Sequence, residues 1–165
     1  MSEEQENHNL LVRLADELAI RDLAARFADA INRRDRNAWS AAWADKARWI
    51  MPDMTDLDSD LLMEGHGEIV SGWVAAMQGY AFVAHMLHSG HVDWVEVDNA
   101  TGRWYVSEIV EDHDGDRHHF YGVYNDRYTR QNGKWLFAER IFSMLYMGDA
   151  PWNGQAFAHP QEKEL

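Results

Sequence analysis

Cysteine is absent from the 165 residues, which excludes disulfides, thiol nucleophiles and thiolate metal sites together. No apolar run approaches the roughly 18 residues that would carry a helix across a membrane. A basic stripe is missing too: the formal charge is −13, which repels phosphate backbones and anionic lipid surfaces. Neither nucleic acid nor membrane is therefore expected as a partner. Nor does any linker rich in Gly, Ser or Pro, or any internal repeat, divide the chain, and one domain covering residues 1–165 is expected. The start, Met1-Ser2-Glu3-Glu4-Gln5-Glu6, is acidic and polar where a secretory signal is basic and then apolar, so a cytoplasmic location is expected, with residues 1–8 disordered.

What is present is 46% apolar residues in a helical first half and a strand-rich second half, the pattern of an α+β unit. From Leu10 to Ile31 the residues Leu10, Leu14, Leu18, Leu23, Phe27 and Ile31 recur mostly every four positions, which predicts a long amphipathic helix. A short helix through Ala38–Trp43, a strand at Ala47–Met51 closed by Pro52, an acidic loop from Asp53 to Asp60 and a third helix through Glu68–Met77 follow. Four β segments are predicted at Phe82–Val97, Arg103–Glu111, His118–Arg130 and Lys134–Met147. Asp98–Gly102, Asp114-Gly115-Asp116 and Asn132-Gly133 supply the turns between them. The fold class expected is α+β: a cone-shaped, curved, mostly antiparallel sheet wrapped on about three N-terminal helices and enclosing a pocket.

Four stretches resemble the SnoaL-like branch of the nuclear-transport-factor-2-like superfamily, which includes bile-acid dehydratase, scytalone dehydratase and hexachlorocyclohexane dehydrochlorinase. They are Ile20-Arg21-Asp22-Leu23, His85-Met86-Leu87-His88, Thr101-Gly102-Arg103-Trp104-Tyr105 and the run from Tyr128 to Phe137. The resemblance implies a lyase or isomerase that uses neither metal nor organic cofactor, in which a histidine takes a proton from carbon and a helix carboxylate holds the imidazole. His85 matches that histidine, and a neutral imidazole suits the task. The helix position of the carboxylate is Asn32 here, which can orient an imidazole but adds no negative charge. Glu108 matches an acidic pocket residue and is the candidate to compensate; the exposed sheet face or a subunit contact is the alternative. Tyr124 is the candidate proton donor to a leaving group, or else a core or interface tyrosine. Phe27 and Met51 stand where the dehydratases have tyrosines, which makes the pocket less polar.

The nine histidines invite a metal hypothesis that their spacing opposes. His85, His88 and His91 alternate faces of a strand unless a bulge intervenes, His118 and His119 point oppositely, and no His-Glu-x-x-His pattern occurs, so no metal is expected. His88 is expected as a second pocket or interface histidine. Arg140 is expected either to bind an anionic or carbonyl group or to form a buried ion pair with Glu139 or another acid. Trp43, Trp49, Trp73 and Met51 are expected to border the cavity, which suits an apolar polycyclic or aromatic small molecule. The expectation is a lyase, dehydratase or retro-aldol-like, with His85, Asn32, Glu108 and Tyr124 at its centre and His88, Phe27, Met51, Trp49 and Arg140 around the substrate. The alternatives are a small-molecule binding protein of the same fold and a structural small subunit of an aromatic-ring dioxygenase. A tail over residues 148–165 is expected to cover the pocket or a neighbour, and the resemblance implies a homotrimer or homodimer.

Overall fold

The computed structural model describes residues 2–52, 61–149 and 154–165, the side chains of Val95 and Glu96 excepted. The acidic loop expected at 53–60 and residues 150–153 of the expected tail lie outside the described residues. In chain order the elements are α1 (Glu3–Asn32), α2 (Arg36–Ser40), β1 (Trp43–Met51), β2 (Leu61–Glu64), α3 (His66–Gln78), β3 (Tyr80–Glu96), β4 (Asn99–Asp112), β5 (Arg117–Gln131) and β6 (Lys134–Asp149). The six strands form one curved sheet in the order β2-β1-β6-β5-β4-β3, antiparallel throughout except for the parallel β1–β6 pair. Register shifts at Leu87/Gly90 in the β3–β4 hairpin and at Tyr121/Gly122 and Arg127/Tyr128 in the β5–β6 hairpin interrupt those ladders, while β4–β5 pairs without a break. An extra residue on one strand bends it, so these are the points at which the sheet curls over the helices. The turn at Asn132-Gly133 has φ of 51° and 75°, the doubly positive geometry that two-residue hairpins require.

Helix α1 starts at Glu3, so residues 3–8 are helical where disorder was expected. The Ser2 hydroxyl accepts the Gln5 N–H, and Glu3, Glu4 and Glu6 place negative charge against the positive end of the helix dipole. The buried face is also different from the predicted stripe. Leu10, Leu14 and Leu18 are exposed, and burial begins at Ile20 and continues through Ala24, Phe27, Ala28 and Ile31. The first turns reach past the sheet, and only the last three or so lie across its concave face. Two polar clamps fix the helix there. Asp16 accepts two bonds from Arg130 and one from the Trp135 indole, and Asn32 bonds the main chain of β3.

The short helix ends earlier than its apolar residues predict. Asp35 caps α2 through the Ala38 N–H, α2 closes at Ser40, and Trp43 becomes the first residue of β1. Arg34, at φ 53°, makes the left-handed turn between α1 and α2, and its guanidinium bonds the Met77 and Tyr80 carbonyls and Glu162. The tail docks at this corner through Lys163, which bonds the Arg33 carbonyl and pairs with Asp35. Of the two expectations for the tail, covering the pocket is not met by its described part: residues 157–163 lie by the α1–α2 corner and the start of β3, and none of the described tail residues lines the cavity.

The narrow end of the cone is filled by Phe27, Trp39, Trp43 and Phe137, with Trp39 stacked on Trp73 of α3 at 4.7 Å and 11°. A cation lies buried against this aromatic floor. Arg140 is fully buried, pairs with Asp126 through bonds of 2.8 and 2.7 Å, and lies 3.9–4.2 Å from the ring centroids of Tyr124, Phe137 and Phe27. Asp126 also accepts the Tyr128 hydroxyl, which in turn accepts the Trp104 indole N–H, so a chain of buried polar groups ties β4, β5 and β6 together. Burial alone would pull the Arg140 pKa down, but the paired Asp126 outweighs it and leaves it above the ordinary value. Breaking such a pair leaves an unpaired charge in the core, so Asp126→Ala is expected to lower the unfolding free energy by about 3–5 kcal/mol in urea titrations. Replacing Asp126 and Arg140 together with Leu and Met is expected to recover much of that loss.

Candidate active site

The period of the strands decides which side chains share the concave face. On β3 these are Val83, His85 and Leu87; on β4, Trp104, Val106, Glu108 and Val110; on β5, Phe120, Gly122 and Tyr124. Together with β1, β2, α3 and β6 they enclose a cavity of about 430 Å³. Its wall is apolar over most of its extent, with Met51, Met63, Met77 and Met144 beside Trp49, Trp73, Phe120 and Phe142. Gly122 helps to keep the space open, since a Cβ there would stand 2.1 Å from the Phe142 ring. Polar side chains enter the wall at few points: His85, Glu108, Tyr124 and Tyr80, with the indoles of Trp49 and Trp73.

His85 and Glu108 are direct partners across the β3–β4 ladder, and their side chains meet on the concave face. The His85 Nδ1 lies 2.5 Å from Glu108 Oε2. An ionised carboxylate only accepts, so Nδ1–H donates and the lone pair is left on Nε2. Nε2 is buried and has no hydrogen-bond partner among the described residues. An unpartnered buried nitrogen costs about 1–3 kcal/mol. The imidazole is 2% exposed and packs edge-on against Phe27, 6.3 Å between centroids, and tilted against Tyr124 at 6.0 Å.

Tyr124 also lines the cavity. Burial pushes its pKa well above that of a free tyrosine, Arg140 beneath the ring opposes this, and Glu108 and Asp126 add to it. The hydroxyl is consequently a proton donor across the physiological range. Tyr80, which sequence reasoning missed, joins the same wall, and burial followed by the charge of Glu108 raises its pKa as well. Its place immediately after Gly79, at the irregular start of β3, gave no clear strand period from which to find it.

His85, Glu108 and Tyr124 thus come together with Trp49 and Met51 on one cavity, and Trp73 joins them as expected. The other site residues are placed differently. Asn32 does not touch the imidazole: its amide bonds the His85 main chain, Nδ2–H to the carbonyl at 2.8 Å and Oδ1 from the N–H at 2.7 Å. Phe27 and Trp43 lie behind the wall, drawn into the aromatic floor by the close approach of α1. Arg140 is sealed beneath Phe27 and Tyr124, and its partner is Asp126; Glu139 pairs instead with Arg48 and Arg127 on the surface. His88 shares the outer face with Met86 and Ser107, where its Nε2 meets the Ser107 hydroxyl at 2.8 Å, because strand alternation is kept until the bulge at Leu87/Gly90. No cluster of three or more His, Asp or Glu side chains placed to hold a metal occurs among the described residues.

A curved sheet wrapped on helices, with a histidine–carboxylate pair in the wall of its cavity, is the architecture of the cone-shaped α+β proteins. The chain belongs to the SnoaL-like domain family, whose sequence profile matches residues 12–141. No curated protein sequence matches it. In fold it is similar to a hexachlorocyclohexane dehydrochlorinase, LinA type 2, with a TM-score of 0.77 at 22% identity over 91% of this chain and 97% of that one. It is also similar to the LinA type 3 enzyme of Novosphingobium barchaimii LL02, TM-score 0.73 at 21% identity over 91% and 99% of the two chains. A protein of Novosphingobium aromaticivorans DSM 12444, provisionally named a scytalone dehydratase, has a TM-score of 0.74 at 15% identity over 93% of this chain and 98% of that one.

The tyrosine shifts have a consequence for stability. The native state keeps protons on Tyr124 and Tyr128 that the unfolded chain releases near pH 10, so their contribution is complete below that pH and is lost as pH rises toward the folded values. The unfolding free energy of the wild type is expected to fall between pH 9 and pH 11, by up to about 1.4 kcal/mol per pH unit for each group. Tyr124→Phe is expected to flatten that decline in urea titrations; an unchanged slope would show that Tyr124 does not carry it.

Proposed function

We propose that the protein is a lyase that eliminates a leaving group from an apolar ring compound, with His85 as the base that removes a proton from carbon. The observation that carries this reading is the arrangement of His85: its Nδ1–H held by Glu108, its Nε2 unpartnered, and its ring in the wall of an apolar cavity. The family and the fold of its neighbours support it.

In this reading the substrate carries an acidic C–H next to an activating group and a hydroxyl or similar group on the adjacent carbon. The C–H proton passes to His85 Nε2, the electron pair forms the new double bond, and the bond to the leaving group breaks. Glu108 stays ionised and stabilises the imidazolium as it forms, a task that orientation alone does not perform. Tyr124 donates its proton, or a hydrogen bond, to the departing oxygen. Base and acid are both side chains, so the step as written requires neither a metal nor an organic cofactor. A cavity of about 430 Å³ walled by four methionines and several aromatic rings favours a rigid, flat, apolar skeleton, since methionine adapts to irregular shapes and little of the wall rewards polar groups.

The test is turnover and hydrogen exchange on a panel of aromatic and polycyclic compounds bearing a leaving group β to an acidic C–H. The active member is expected to take up solvent deuterium or lose its leaving group, and His85→Gln is expected to lower kcat about 10²–10⁴-fold. Glu108→Gln is expected to lower kcat with little change in KM, because the charge it removes matters most in the transition state. Tight binding with neither exchange nor turnover would identify a binding protein instead.

A further inference from the structure

We propose that Asn32 is a positioning residue for the base, acting through the main chain of His85 and not through its ring. The inference rests on the reading of His85 as the base, and it concerns how that base is aimed. β3 is an edge strand: β4 pairs with one side of it, and among the described residues no strand pairs with the other. In a strand the N–H and C=O of one residue point to the same side. Both of these groups in His85 are taken by Asn32, so both point outward, away from β4.

The His85–Glu108 pair must then be the non-hydrogen-bonded kind of antiparallel partner, whose Cα atoms approach to about 4.5 Å and whose side chains lie closest together. That spacing lets a histidine and a glutamate on neighbouring strands meet at 2.5 Å. A one-residue slip of β3 would send the imidazole to the outer face. Asn32 guards against the slip by tying the register to the last residue of α1.

The chemistry demands a primary amide. One side chain has to donate to a carbonyl and accept from an N–H a residue-width apart, which a short amide does and a carboxylate does not. An aspartate here would set a negative oxygen against the His85 carbonyl and leave that carbonyl unpaired. Protonated, it would regain a donor and resemble the amide. An aspartate at this position is therefore expected to weaken the site near neutrality, even though it would add the negative charge that a histidine base ordinarily welcomes.

The experiment compares wild type, Asn32→Asp and Asn32→Ala in ¹⁵N-histidine-labelled protein, with His85→Gln assigning the His85 signals. The readout is the downfield proton of Nδ1–H, which reports the bond to Glu108 directly, together with melting temperatures at pH 7 and pH 4. In both Asn32 variants the resonance is expected to be lost or displaced at pH 7, with melting lowered by about 4–8 °C. For Asn32→Asp that deficit is expected to shrink at pH 4, as the introduced carboxyl is protonated, while the Asn32→Ala deficit stays. The other charged groups near the position are Asp29, Arg33 and Arg34 on α1 and its turn, Glu108 behind His85, and His159 and Glu162 of the tail; they are common to every variant and cancel in the difference. If Asn32→Asp keeps the wild-type resonance and melts within about a degree of wild type at pH 7, the proposal is overturned. The same follows if both variants show one deficit at both pH values. Should Asn32→Asp fail to fold at pH 7, Asn32→Ala decides through its resonance. None of these readouts needs a substrate, so an absence of turnover would sink the lyase reading and leave this one standing.

Discussion

The constraint on which the site depends is the open edge of an unclosed sheet. Six strands curl without meeting, and each end strand presents main-chain groups that need partners. At β3 the partner is α1, whose last residue supplies donor and acceptor together. The same helix is held at the far end of the sheet by Asp16 on Arg130 and Trp135. With both clamps set, Phe27 and Ile31 are pressed onto the concave face, and the depth of the pocket follows from where they stop. In the proposed reading the imidazole is aimed by the same contact that finishes the edge, which couples stability to the placing of the base at this point.

Inside the cone, polarity is arranged by depth. At the floor, Arg140, Asp126, Tyr128 and Trp104 form a sealed chain in which each member except the spare Arg140 Nη1 has a partner. Above it, Tyr124 rests on the Arg140 guanidinium and shows its edge to Phe27. Higher still, the wall is methionine and aromatic side chains, broken by His85 and Glu108. The buried cation is not free to bind a ligand, but its charge reaches the Tyr124 hydroxyl and opposes the effect of burial there. Of the two expectations for Arg140, the buried ion pair with an acid is the one the fold shows, and the guanidinium lies against the Tyr124 ring.

How much of this was legible depends on which rule governs each residue. Strand alternation and turn chemistry are local, so the four long strands and the α+β class could be read from the chain, and so could the facing of His85 and Glu108 once a hairpin joined them. The exposure of Leu10, Leu14 and Leu18 could not, because periodicity shows that a helix has an apolar face but not how far the sheet extends beneath it. The contacts of Asn32, the facing of His88 and the identity of the acid that pairs with Arg140 could not be read for a related reason. Their roles turn on partners far along the chain: the outward main chain of an edge strand, the position of a bulge, and the choice of Asp126 over Glu139. Tyr80 escaped notice because it sits where helix gives way to strand and neither period applies.

The location of the carboxylate bears on what the pair can do. On a neighbouring strand Glu108 sits opposite His85 between the flanking ladder pairs Ala84/Ile109 and Met86/Ser107, so the two move as one body. A carboxylate on a helix would depend on the packing between layers to keep the same distance, and such packing yields more readily than a ladder. In a wall this apolar a charge developing on the imidazole has little water to meet, and its stabilisation falls to the one carboxylate in contact. A fixed partner reorganises least as that charge appears. If His85 acts as the proposed base, the strand position of Glu108 gives it a rigid partner, and the amide of Asn32 on the His85 main chain secures the strand that makes it rigid.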